Sequence, residues 1–302
     1  MIPFASVLVE FLVDPVMQYA FMREGLIAAI VVGLASAILS CLLVVRHQAL
    51  LGDAISHAVL LGVAVGFLVA GVGGILPGAL LVAILTGLAI TFLERNTPIQ
   101  LDAAMGIAFT TTFALGLAII SVVQPRGVDL FHILFGNVIG LRRSDLILTV
   151  VAGAAVIAVT LGLFRWLHVW SYDPGLASAV GVPLRVVEYA FTALLSAAVV
   201  VSMNAVGLLL VVAMLIIPGA AALLLTSSLR SMMAVAAVIG VTSAVAGLYV
   251  SFHVNVASGP AIVLTAAALF LVLLLAAPRH GLFLRWLVHR RPGTREEAAP
   301  RG

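Results

Sequence analysis

Asp53 and His57 stand four residues apart in the run Leu51-Gly52-Asp53-Ala54-Ile55-Ser56-His57-Ala58. On a helix that spacing puts a carboxylate and an imidazole on one face, one turn apart, with Ser56 beside them. Such a pair suits a borderline divalent cation such as manganese, zinc or ferrous iron better than an alkali ion. An aspartate at the centre of a membrane span costs about 2.5–3.5 kcal/mol, which makes it a functional candidate by default. The same spacing also describes an ordinary ion pair at the membrane surface, with Asp53 anchoring a helix N-terminus. Spacing alone leaves both readings open. His132 lies in the apolar stretch 129–141, too short to span, and is a further candidate for transient metal contact. A lone histidine there is ordinarily structural, and the same holds for His253 and Asn255. Asp102 sits at a helix start, where a negative charge favours the helix dipole.

The elements that must position these groups are membrane helices. Hydrophobic residues make up 64% of the 302, and charged residues only 9%, against about a quarter in a soluble domain. Apolar stretches of spanning length lie near 24–45, 54–70, 75–93, 102–123, 146–164, 187–203, 206–226, 232–250 and 261–277. Between the sixth and seventh, Asn204 and Gly207 are the only punctuation. The expected fold is all-α: a polytopic bundle of about 8–9 transmembrane helices spanning residues 19–278. An N-terminal interfacial segment, residues 1–18, precedes it, and a basic, partly disordered cytoplasmic tail, residues 279–302, follows. With the C-terminus inside, Arg46, Arg95, Arg165, Arg185 and Arg230 all fall on the cytoplasmic side, as the bias of basic residues requires. Runs of small residues at 33–40, 106–116 and 240–247 point to close helix packing.

Several functions are excluded or unsupported. The chain has no lysine, so it holds no Walker A loop, which needs one to reach the phosphates. No H-E-x-x-H or G-x-S-x-G motif is present. Nothing suggests a permanently bound cofactor, a disulfide framework (Cys41 is the one cysteine) or a nucleic-acid partner. If transport is active, its energy comes from another subunit or an ion gradient.

Residues 172–183 form a second constellation. Asp173-Pro174 is a good helix start, with aspartate as cap and proline at the first position. Gly181 and Pro183 stop the helix after about two turns, with Ala177 inside it. So short and firmly bounded a helix, between Arg165 and Arg185, suits docking into a partner's groove.

The run Arg46-His47-Gln48 through Asp53, Ser56, His57 and Leu60 resembles the signature of the membrane permeases of bacterial ATP-binding-cassette importers for manganese, zinc and iron, the ABC-3 type. Leu61 stands where that family usually has proline. Further matches follow in order: Asp129 to Asn137, Tyr172-Asp173-Pro174 to Gly181-Val182-Pro183, Val206-Gly207 to Pro218, and Ser258 to Leu264. They cover about residues 20–280, nearly the whole chain. The resemblance implies a multi-pass permease of the bacterial inner membrane that pairs with itself or a paralogous permease. It implies a separate cytoplasmic ATP-binding subunit docked on residues 172–183, and an extracytoplasmic metal-binding protein that delivers manganese or zinc. A secondary transporter or cation channel using the same Asp53–His57 pair is the alternative, and it would work as a lone chain. Many such folds show internal repeats, and no clear repeat is visible here.

Overall fold

The computed structural model describes residues 13–123 and 143–277. In chain order its helices are α1 (Asp14–Gln18), α2 (Ala20–Val45), α3 (Ala49–Ala70), α4 (Ile75–Asn96), α5 (Leu101–Val123), α6 (Arg143–Gly162), α7 (Phe164–Tyr172), α8 (Pro174–Ala179), α9 (Leu184–Val206), α10 (Leu208–Leu225), α11 (Leu229–Val254) and α12 (Ser258–Ala276). In lipid, backbone polar groups must be satisfied within the segment, and the helix does this. Eight of the described helical stretches are long and apolar enough to cross a bilayer. One of them, Ala49–Asn96, folds back at the 3-10 turn Gly71–Gly74, so the described residues make nine passes. The nine expected spans are found, mostly longer at one or both ends. Gly207, at φ +85°, divides α9 from α10. His132 and the stretch 129–141 lie outside the described residues, as do residues 1–12 and the tail from 278.

Two close approaches shape the bundle. α3 and α4 form a hairpin so tight that a Cβ on Gly66 would sit 2.1 Å from the Gly74 carbonyl oxygen. The second is where α10 meets α2. Pro218 lies inside α10 and has no N–H to give. Beside it, Ser40 of α2 donates to the Ile216 carbonyl at 3.2 Å and accepts from the Gly219 N–H at 2.9 Å. A Cβ on Gly219 would lie 2.4 Å from the Ser40 hydroxyl. Ser40→Ala removes both of these interhelical hydrogen bonds, each worth about 0.5–1.5 kcal/mol. It is expected to lower stability by about 1–3 kcal/mol, read as an earlier transition in a denaturing-detergent titration. An unchanged transition would remove the bridge from the account. The run 106–116 packs on α3 through Phe109 and Phe113, and its Gly116 meets the Leu60–Leu61 backbone, while Gly106 faces open space.

α2 is the central post. It packs against α11, α10 and α6, while α3 packs against α4, α5, α9 and α10. Arg46, Arg95 and Arg230 all collect at one end of the bundle, where they meet Trp170, Glu188 and Phe164. By the positive-inside rule that end is cytoplasmic.

Candidate metal path and coupling surface

α3 begins at Ala49, earlier than hydropathy suggests, because Ala49, Leu50 and Leu51 continue the apolar run past the aspartate. The N-cap is Gln48, without a side-chain cap bond. Asp53 is therefore not the cap. It sits a turn inside the helix, about 6 Å along the axis from Ala49. One stripe of α3 is only partly covered by the rest of the chain: Leu50, Asp53, His57, Leu61, Val65 and Leu68. Asp53 and His57 are its only polar members. Their side chains are 37% and 21% exposed, and Nε2 lies 3.4 Å from Oδ1.

That separation is longer than a good N–H···O bond. It matches the edge between two ligands that each stand ~2.1 Å from one tetrahedral ion, which is about 3.4 Å. The ring is held from the side by Phe109 and Phe113 of α5, with centroids at 4.6 and 5.5 Å and both in edge contact. Nδ1 is buried and finds no hydrogen-bond partner among the described residues. Ser56, expected beside the pair, is turned away. It is fully buried and donates to the Gly52 carbonyl at 2.6 Å. Gly52 lets α10 approach, since a Cβ there would meet Leu215 at 2.9 Å.

One chain thus offers two candidate ligands. No group of three or more His, Cys, Asp or Glu gathers elsewhere among the described residues. The remaining polar candidates have structural roles. Asp102 lies in the first turn of α5. Asn255 caps α11 in the left-handed conformation, at φ +58°. His253 Nδ1 lies 2.9 Å from the Tyr249 carbonyl oxygen.

The candidate docking segment, residues 172–183, is built as its residues require. Asp173 caps α8, its Oδ1 accepting from the N–H of Gly175 at 2.8 Å and of Leu176 at 3.0 Å. Pro174 fills the first helical position. Gly181 turns the chain at φ +81°, a conformation that β-carbons resist. Ala177 is fully buried and seats the helix, and Pro183 precedes α9. The outer face shows Tyr172, Leu176 and Val180, each more than half exposed. Apolar knobs on a water-facing helix are the usual anchors of a protein contact.

Between this segment and α3 lies a junction that inspection of the sequence missed. Trp170 of α7 is 1% exposed, and its Nε1 donates to Glu188 of α9 at 3.1 Å. Arg95 of α4 pairs with the other carboxylate oxygen. The Arg46 guanidinium lies 4.5 Å from the Trp170 ring centroid. Gln48 is buried and lies close to Glu94 of α4. The turn that launches α3 is therefore clamped to the helix that precedes α8. Glutamate at 188, inside a largely apolar span, was the available signal.

The chain matches the ABC 3 transport family over residues 18–277. It is 41% identical over 276 residues to the manganese transport system membrane protein MntC of Halalkalibacterium halodurans, covering 91% of this chain and 94% of that protein. It is 38% identical over 265 residues to the chelated iron transport system membrane protein YfeD of Yersinia pestis, covering 87% and 88%. Among solved structures it is similar to PsaBC from Streptococcus pneumoniae in complex with Fab, with a TM-score of 0.81 and 38% identity, over 93% of this chain and 99% of that one. With nine passes among its described residues, this multi-pass protein of the bacterial inner membrane belongs to the ABC 3 transport family.

Proposed function

We propose that this chain is the permease of an ATP-driven importer of divalent transition metal, with manganese the first cargo to test and iron and zinc next. The observation that carries the reading is the Asp53–His57 pair, set at ligand spacing on an otherwise apolar, partly exposed stripe of α3. A charged stripe facing lipid is costly, and a second copy of the chain across a two-fold axis relieves that cost. The two pairs then give four nitrogen and oxygen ligands, enough to replace much of the water of a divalent ion. Such a site binds only moderately, since an ion held too tightly cannot leave. An extracytoplasmic binding protein hands over the metal, and a cytoplasmic ATP-binding subunit grips α8. Movement of α8 reaches the start of α3 through Trp170, Glu188, Arg46 and Gln48.

The test is uptake by the reconstituted complex. Vesicles holding the permease with its ATP-binding subunit, supplied with metal-loaded binding protein, should accumulate radioactive manganese only with ATP. The permease alone should accumulate none. Uptake by the lone chain would favour a secondary transporter or channel and overturn the reading. Glu188→Gln keeps the shape of the junction and removes its charge. It should leave assembly intact and lower the metal carried per ATP hydrolysed. An unchanged ratio would remove the junction from the coupling route.

A further inference from the structure

α6 and α11 both pack on α2 but scarcely on each other. The gap between them is a cleft of about 450 Å³, floored by Ile38 and walled by Leu161, Phe164, Met233 and Ala237. That volume falls within the range of roughly 300–1,000 Å³ seen for small-molecule sites. It lies on a different flank from α3, whose neighbours are α4, α5, α9 and α10. The lip of the cleft is charged. The Arg230 guanidinium sits at its mouth, 5.6 Å from the Phe164 ring centroid. Arg165, exposed, is the next residue along α7. Neither arginine enters the ion pairs found among the described residues, which join Asp53 to His57 and Arg95 to Glu188. Trp166 follows, 45% exposed, a residue type favoured at the headgroup level of a membrane.

We propose that this cleft holds one anionic phospholipid of the cytoplasmic leaflet. One acyl chain lies along Phe164, Met233 and Ala237, and the phosphate sits between Arg230 and Arg165. The apolar walls accept the tail of any phospholipid, so the preference for charge rests on the arginines. Guanidinium groups hold phosphate oxygens in a fixed fork. Basic pockets between helices on the cytoplasmic side suit anionic headgroups. This assignment depends on the chain spanning a membrane, not on which ion it carries.

The test uses the full-length chain in its purified complex, stripped of lipid by detergent exchange. Phosphatidylglycerol and phosphatidylcholine are titrated separately, and lipids retained per chain are counted by native mass spectrometry. The wild type should keep one phosphatidylglycerol per chain at roughly tenfold or more lower concentration than phosphatidylcholine. Arg230→Gln with Arg165→Gln should erase that preference yet still admit a lipid. Ala237→Trp, which fills the cleft, should lower retention of both. Three results overturn the proposal. Equal retention of the two lipids by the wild type means a greasy cleft with no headgroup choice. Unchanged preference in the arginine variant, or unchanged retention in Ala237→Trp, places the lipid elsewhere. Tighter lipid binding after deletion of residues 278–302 means that the chain's own tail occupies the cleft.

Discussion

Asp53→Ala and His57→Ala should each lower ATP-driven manganese uptake roughly 100-fold or more, while the complex is still recovered intact. Loss of a group that merely orients a ligand already costs ~10–100-fold in metal affinity or activity, and here the ligand itself is removed. Both side chains lie on the partly exposed stripe of α3, with His57 packed against Phe109 and Phe113. The folding penalty is therefore small, and a loss of uptake reports on the ion path. Asp53→Asn should fail nearly as badly, because it keeps the shape and loses the charge. A carboxamide is a weaker ligand for a transition metal than an imidazole nitrogen, so His57→Gln is expected to resemble the alanine variant. Uptake measured in cells at matched expression decides the matter. Wild-type rates in both alanine variants would leave the pair as an ordinary surface contact on α3.

The second large effect is at α8. Asp173 has φ −145°, which proline cannot reach, and its carboxylate caps two backbone N–H groups. Asp173→Pro should therefore unwind the docking helix. Gly181→Trp should displace it, because a left-handed residue with a large side chain is strained. Each should abolish co-purification of the ATP-binding subunit, or abolish its stimulation by metal-loaded binding protein. The membrane bundle should keep its thermal unfolding midpoint, since α8 is a surface element. Leu176→Asp gives a gentler check. It removes an exposed apolar knob without touching the cap, and should weaken the complex without dissolving α8. Full complex recovery and full transport in the first two variants would rule out docking on this segment.

Much of this was legible because it is local. The four-residue spacing of Asp53 and His57, the cap at Asp173-Pro174 and the stop at Gly181 each need only a few neighbouring residues to be read. Gly207 marked a break between spans for the same reason. What escaped was long-range or depended on depth. Nothing near Arg46 announces Trp170, and nothing near Arg95 announces Glu188; α7 and α9 must fold back before they meet. Hydropathy also halts at the first charge, so Asp53 read as the edge of its helix. The helix itself begins at Ala49, because an apolar backbone stays helical through one aspartate. Ser56 read as a companion of the pair, but its hydroxyl satisfied the Gly52 carbonyl one turn back. That is the common alternative for a serine within a helix. Ser40 gave no signal either, since its role depends on Pro218 far along the chain.

Two copies of the chain sharing one ion between their Asp53–His57 pairs should be visible in pulsed electron paramagnetic resonance of manganese bound to the purified complex, with the metal content of the same sample measured alongside. One ion is expected for every two chains, with nitrogen couplings from two equivalent imidazoles that vanish in His57→Ala. One ion per chain, or couplings that persist without His57, would contradict the shared site.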